Sequence, residues 1–420
     1  MTDTSARTGT DHHEVLIIGG GNAGLSVAGR LRRSGMTDVA VIEPSGTHLY
    51  QPMFSHVAGG TAPAMIATRP QGSVTPDGVE WVRDRVTTID PDAKTVALHS
   101  GRTLTYGQLV VCPGIQKNWD TVPGLVEAME SPSGVSNYEF AYARKTWPVL
   151  QAMRSGTVVF TQPAGPATCS GAAQKPMYLA CDHWREVGVL DDIRVVLVVP
   201  TPTLFGMPLI DAELERKVAE YGIEVRYGRE LVEVDAEGKT VAIAEAPPQD
   251  GPDRRQDGTP SGERETLAYD VLHAVPPQSA PDWLAATPLA DPGNPGGFVE
   301  VDSLTLRHPR YPDVWVLGDA AATINSKSGG ALRQQTKVLA KNLVAAVKGE
   351  PLPQVYNGYS VCPFTVSRST VVLSEFDDRY RPKPSIPFWT GLAKESRLTF
   401  LADRYVLPWV YWHMILKGRA

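Results

Sequence analysis

Cysteine is scarce in this chain, four in 420 residues, and no two cysteines stand at a CxxC spacing. That scarcity excludes a disulfide scaffold, a zinc ribbon and a thioredoxin-like motif. If Cys112, Cys169, Cys181 or Cys362 matter, they act as thiols that the fold brings together, and no metal site is expected. Blocks of lysine and arginine are also missing and the net charge is -6, so nucleic acid is not an expected partner. No run reaches the ~18–20 apolar residues that cross a bilayer. The opening residues, MTDTSARTGTDHH, lack the apolar centre of a signal peptide and the Arg-rich, acid-free make-up of a transit peptide. Residence on the cytoplasmic side, with membrane attachment at most peripheral, is the expectation. The remaining composition, 42% hydrophobic and 20% charged, is that of an ordinary globular protein with room for two or three packed units.

What is present begins with a nucleotide-binding pattern. Residues 14–18, EVLII, form a short apolar run suited to a buried parallel strand. Gly19, Gly21 and Gly24 follow as GxGxxG, then the helical stretch LSVAGRLRRSG. In this context Gly19 serves the tight turn, Gly21 the approach of a pyrophosphate, and Gly24 the packing of helix on strand. The next apolar run, VAVIE, ends in Glu43, 22 residues after Gly21. An acid there suits a ribose hydroxyl and favours FAD or NAD over NADP. The C-terminal half selects FAD: DVWVLGD is a strand ending in Gly318-Asp319, followed by the helix GGALRQQTKVLAKNLVAAV. Such a second arm suits the ribityl chain of FAD and has no use in an NAD-only dehydrogenase.

The middle of the chain has the rhythm of a second Rossmann unit: TVVF, a helix near 172–187, IRVVLVVP, DAELERKVAEYG and IEVRYG. Its nucleotide signals are missing. The loop after the first strand reads TQPAGPATCSGAAQK, without GxGxxG and with Cys169 in the turn, and the second strand ends in Pro-Thr-Pro rather than an acid. The unit should bind NAD(P)H poorly and carry a thiol where a nicotinamide would meet the flavin. Cys362, in GYSVCPFT, is the thiol of a late loop.

Taken together, IIGGGNAGLSVA, VIEPSGTHLYQPMF, PATCSGAAQKPMYL, VLHAVPPQSAPDWL, RYPDVWVLGDAA and YNGYSVCP make the chain resemble the sulfide:quinone oxidoreductases, nearest the type of animal mitochondria and some bacteria. The resemblance implies FAD held by Gly19, Gly21, Gly24, Glu43, Gln51, Val86, Gly318 and Asp319, with Lys327 near the ring. It makes Cys169 and Cys362 the catalytic pair, resting as a disulfide or as a trisulfide with one extra sulfur. Hydrosulfide is then expected to attack at Cys362. Electrons pass through FAD to a membrane quinone, and sulfane sulfur passes to a small thiol, sulfite or polysulfide. Lys175 and Lys327 are candidate sources of a field that favours thiolate. His48, His56, His183 and His273 are candidate proton carriers. Cys112 and Cys181 read as core residues.

The implied fold class is α/β with two Rossmann-like units. An FAD domain (1–153 and 296–350) is interrupted by a degenerate nucleotide domain (154–295), and a C-terminal segment (351–420) follows. Residues 398–417 pack five aromatics into twenty positions, which suits a helix lying in a membrane interface, bent or split at Pro408. Residues 247–265, rich in proline, glycine and charge, read as a solvated loop. A homo-oligomer is compatible with all of this. Competing readings are a type II NADH:quinone oxidoreductase, disfavoured by the missing second fingerprint, and a flavin redox sensor or sulfur carrier without turnover. A soluble sulfide dehydrogenase is disfavoured by the absent secretion signal.

Overall fold

The computed structural model describes residues 11–247, 263–385 and 390–420. Most of the loop expected at 247–265 therefore lies outside the described residues.

Two parallel sheets organise the chain. In the first, Asp11–Ile18 lies between Val39–Ile42 and Thr103–Val111, Glu80–Val82 flanks Val39–Ile42, and Val314–Val316 joins the far side of Thr103–Val111, all in parallel. Residues 15–18 and 39–42 are wholly buried, as expected of apolar runs covered on both faces. Val86–Asp90 and Thr95–Leu98 extend this sheet as an antiparallel meander. The late strand Val314–Val316 runs parallel to Asp11–Ile18 one strand away, across Thr103–Val111, so residues 318–319 emerge at the same C-terminal edge as the N-terminal glycine loop, where such folds bind ligands, and a Cβ on Gly318 would lie 3.6 Å from Ala23.

The second sheet runs, in spatial order, Gly134–Val135, Val271–His273, Gly156–Thr161, Ile193–Val199 and Glu224–Tyr227, again parallel throughout. Gly134–Val135 makes this unit start earlier than the boundary expected at 154. A two-residue strand has no periodicity to announce it. The antiparallel meander Arg229–Asp235, Thr240–Glu245 and Glu265–Ala268 packs beside this sheet.

Cys362 does not lie in a loop. It sits in Ser360–Thr365, which pairs antiparallel with Val371–Phe376 as an isolated two-stranded ribbon. Pro363 is admitted because such a ribbon consists of edge strands alone. Cys362, Phe364, Val366, Val372 and Phe376 join the core of the second unit, so the ribbon is packed onto that unit.

The C-terminal segment is helical from Arg397 to Ile415, with wide π turns at Ala402–Val406 and Tyr411–Ile415 on either side of Leu407–Val410. Pro408 neither breaks nor ends the helix, because the wide turns absorb the missing N–H. One face is docked: Tyr411 stacks on Tyr50 at 3.9 Å and Leu416 is fully buried. The other exposes Leu398, Leu401, Tyr405, Val406, Leu407 and Trp409, each at least 40% accessible. Among the described residues no helix is long and apolar enough to cross a membrane.

Candidate active site

The glycine loop has the shape its sequence predicts. Gly19 has φ +105°, and a Cβ there would sit 2.3 Å from the carbonyl oxygen of Cys112. A Cβ on Gly24 would meet the Gly19 carbonyl at 1.8 Å, whereas one on Gly21 would meet nothing within 4 Å. The first two glycines are therefore demanded by the protein itself. Gly21 is not, and its open side is where a pyrophosphate fits. The helix Asn22–Arg33 that follows has no side-chain cap and no acid in its first turn, which leaves its N-terminal N–H groups to an anion. These residues fit the diphosphate of a dinucleotide.

Glu43 accepts from the N–H of Gly20 at 2.9 Å and from that of Ser45 at 2.8 Å, so its carboxylate is fixed at the edge of the loop. His48 braces the same loop. The Gly20 carbonyl can only accept, so Nδ1 donates to it at 3.1 Å and Nε2 accepts from Tyr411 Oη at 2.6 Å. Burial lowers the His48 pKa to about 4, consistent with a neutral strut rather than a proton carrier. Gln51 is exposed just before the helix Met53–Ala58, and Val86 is buried at the head of its strand in the core of the first sheet. Gly318 has φ +74° and donates its N–H to Gln335 Oε1 at 3.0 Å. Asp319 is half-buried, and burial raises its carboxyl while the Lys327 charge opposes the shift.

Lys327 ties this arm to the thiols. Its Nζ donates to the carbonyls of Asp319 and Ala321 at 2.7 and 2.8 Å and lies 3.9 Å over the Phe298 ring. Burial pulls its pKa down to about 8 against the pull of Asp319. Its own carbonyl accepts the Cys169 N–H at 2.7 Å.

Cys169 is held in the left-handed region, φ 43° and ψ 69°, a conformation that costs a non-glycine residue about 1–2 kcal/mol. Side chains that no motif announces hold it there. Tyr138 Oη donates to the Cys169 carbonyl at 3.1 Å. Gln278 Oε1 accepts from both the N–H and the hydroxyl of Thr168 at 2.9 Å. Asn137 Nδ2 bridges the Ala172 carbonyl, at 2.8 Å, to Ser55 Oγ, at 2.9 Å. The result places Cys169 Sγ 3.4 Å from Cys362 Sγ, across 193 positions of sequence. Gly171 permits this approach, since a Cβ there would lie 2.9 Å from Cys362 Sγ and 2.4 Å from the Phe364 ring. The ribbon thus covers the loop where a nucleotide-binding unit carries its glycines, and Phe205 packs edge-on against Phe364 and Phe376 at 4.9 and 5.3 Å.

The two thiols differ electrostatically. The Cys362 S–H holds the Cys169 sulfur as a thiolate, with its pKa well below the ordinary value despite burial, and Lys175 assists. Cys362 is correspondingly pushed up, first by the Cys169 thiolate and then by burial. Burial lowers Lys175, but the Cys169 thiolate and the Asp403 carboxylate help to outweigh it and keep the ammonium. Cys112 and Cys181 are buried thiols pushed up by burial, outside the pair. His273 is fully buried on Asn137, its pKa lowered to about 3, and His183 is half-buried against Trp147. His56 instead pairs with Asp403 at 3.0 Å. Among the described residues no group of His, Cys, Asp or Glu could hold a metal ion.

Two Rossmann-type units and a thiol pair between them define a class. The family profile described as pyridine nucleotide-disulphide oxidoreductase matches residues 13–347. The chain is 34% identical over 414 residues to the mitochondrial sulfide:quinone oxidoreductase of Mus musculus, covering 98% of this chain and 88% of that one. It is likewise 34% identical over 409 residues to the mitochondrial protein of the same name from Dictyostelium discoideum, covering 97% and 86%. The solved sulfide:quinone oxidoreductase of Aquifex aeolicus superposes with a TM-score of 0.78 at 18% identity, over 97% of this chain and 92% of that one. This chain belongs to the sulfide:quinone oxidoreductase family; it is an oxidoreductase and a flavoprotein.

Proposed function

We propose that the chain oxidises sulfide at Cys169 and Cys362, delivers two electrons through FAD to quinone, and hands sulfane sulfur to a small acceptor such as a thiol or sulfite. The observation that carries this reading is the approach of Cys362 to 3.4 Å from Cys169, whose loop has lost its nucleotide fingerprint. FAD would be held by Gly19, Gly21, Gly24, Glu43, Gln51, Val86, Gly318 and Asp319, with Lys327 beside the ring. Bound there, it supplies a two-electron acceptor for the dithiol and a donor for quinone.

The contrast between the two thiols supports attack at Cys362. In the oxidised pair, hydrosulfide attacks Cys362, the S–S bond breaks, and Cys169 leaves as the thiolate. The sulfur with the lower pKa is the better leaving group, and Cys169 is that sulfur. Lys175 neutralises the charge that appears. Cys362 keeps the persulfide, where burial to 1% exposure admits a small nucleophile and keeps bulk water away. The acceptor removes the outer sulfur, and the dithiol is oxidised again to the pair. The resting spacing also suits one inserted sulfur: two S–S bonds of ~2.05 Å meeting at a bent sulfur place the outer atoms about 3.3 Å apart. The exposed apolar face of the C-terminal helix supports peripheral attachment to the membrane that holds the quinone.

Steady-state reduction of a short-chain quinone tests the reading. Sulfide-dependent turnover should be lost in both Cys169→Ser and Cys362→Ser. Wild-type turnover with NADH and none with sulfide would overturn it.

A further inference from the structure

A buried contact between a histidine and a carboxyl group joins the C-terminal helix to the body of the enzyme. His56 is 2% exposed in the helix Met53–Ala58, and its Nε2 donates to Asp403 Oδ2 at 3.0 Å. Asp403 lies in the first wide π turn, on the helix whose outer face exposes Leu401, Tyr405 and Val406. Burying an imidazole and a carboxyl group forfeits their hydration, and an apolar pair would dock the helix at lower cost.

The other side of His56 is arranged for proton exchange. Nδ1 lies 2.8 Å from Thr61 Oγ1, and the same hydroxyl lies 3.3 Å from the His56 carbonyl. When the imidazole is neutral, Thr61 donates to Nδ1. When it is protonated, Nδ1 donates to Thr61, which turns its own proton onto the carbonyl. Both protonation states are therefore satisfied without rebuilding the site. Thr61 also lines a surface cavity of about 440 Å³ together with Gly60, Pro63, Arg144 and Trp147. The chain of groups thus runs from solvent, through Thr61 and His56, to a carboxylate whose charge is felt at Lys175, Cys362 and Tyr50.

We propose that Thr61, His56 and Asp403 form a relay that supplies the second proton of quinone reduction, an inference that rests on the sulfide:quinone reading above. Reduced flavin gives quinone two electrons and one proton. The relay supplies the other: His56 Nε2 passes its proton to the Asp403 carboxylate, Asp403 passes it to a quinone oxygen, and the imidazole takes up a replacement proton from the cavity through Thr61. The products are the quinol and oxidised flavin, with one proton taken from solvent. Quinone reaches Asp403 from the apolar outer face of the same helix. The charged groups around the relay are Arg404, whose Nε donates to the Thr61 carbonyl at 2.7 Å, and Arg368, bonded to the Gly59 and Gly60 carbonyls. Arg144 is in the cavity, and Lys175, Tyr50 and Cys362 are on the inner side.

The test separates the two half-reactions of the flavin-loaded enzyme. Chemically reduced enzyme is mixed with a short-chain quinone across a range of pH, and oxidised enzyme is mixed with sulfide. His56→Gln and Asp403→Asn keep hydrogen bonding but cannot pass the proton. Quinone-driven reoxidation should slow on the order of 100-fold in both variants, the scale of general acid catalysis, while bleaching of His56→Gln by sulfide stays within about twofold of wild type. Imidazole, which the cavity can admit, should restore the rate in His56→Gly, a rescue that a merely structural pair would not show. Wild-type reoxidation should also show a solvent deuterium isotope effect, a readout that needs no variant to fold. Reoxidation at the wild-type rate in both variants overturns the relay, as does loss of both half-reactions together without rescue. Reduced wild-type flavin that quinone does not reoxidise at all would instead sink the underlying reading, and the relay with it.

Discussion

Replacing Cys362 by alanine should disarm Cys169 without touching it. The Cys362 S–H, 3.4 Å away, is the largest influence that keeps Cys169 ionised. A hydrogen bond to a charged group contributes about 1.5–3 kcal/mol, and one pKa unit corresponds to about 1.4 kcal/mol. Cys362→Ala should therefore move the Cys169 titration up by about one to two units. Lys175 remains and limits the shift. Cys362→Ser keeps an O–H donor and should move it by less than half as much. The sign follows from the thiolate being the form the bond favours: it persists below the ordinary thiol range and is lost as pH falls through the depressed pKa. The assay is thiolate ultraviolet absorbance of the reduced protein against pH, with Cys169→Ser as the blank, cross-checked by the pH dependence of alkylation. Coincident midpoints for wild type and Cys362→Ala would refute the assignment of the S–H as donor and Cys169 as thiolate.

Three further outcomes are expected. Gly21→Ala should fold normally yet retain little flavin, because a Cβ there meets no protein atom. Gly24→Ala, with its Cβ 1.8 Å from a carbonyl oxygen, should lower the thermal midpoint of the apoprotein itself; equal melting of the two would contradict the division of roles. Lys175→Gln removes the ammonium that favours the Cys169 thiolate and should slow alkylation at neutral pH several-fold, with an unchanged rate counting against it. Leu401→Glu combined with Trp409→Glu should abolish co-sedimentation with phospholipid vesicles while turnover with a water-soluble quinone persists. Retained binding would place the membrane contact elsewhere.

The sequence made the nucleotide units legible because their signals are local. An apolar strand, three glycines, a helix and an acid stand in order within residues 14–43, and the structure sets Gly19 and Gly24 against backbone atoms as that pattern requires. The approach of Cys169 to Cys362 was not legible from spacing, since it spans 193 positions; only the likeness of whole segments to a known family suggested it. The residues that hold Cys169 in its left-handed turn, Tyr138, Asn137 and Gln278, bond largely to backbone groups. Any of several residue types serves such a contact, so no motif marks them. Cys362 read as part of a loop because Pro363 interrupts its strand, and the two-residue strand at Gly134–Val135 was too short to show a period. Asp403 was invisible for a different reason. In sequence it is one acid on an apolar helix, and only the docking of that helix brings it to His56.

The most direct test of the central claim is anaerobic mixing of the flavin-loaded enzyme with sulfide, followed by its visible spectrum, with Cys169→Ser and Cys362→Ser alongside. The account predicts a long-wavelength charge-transfer band and then bleaching of the flavin in wild type, with no bleaching in either variant. A wild-type flavin that ignores sulfide but is bleached by NADH would contradict it.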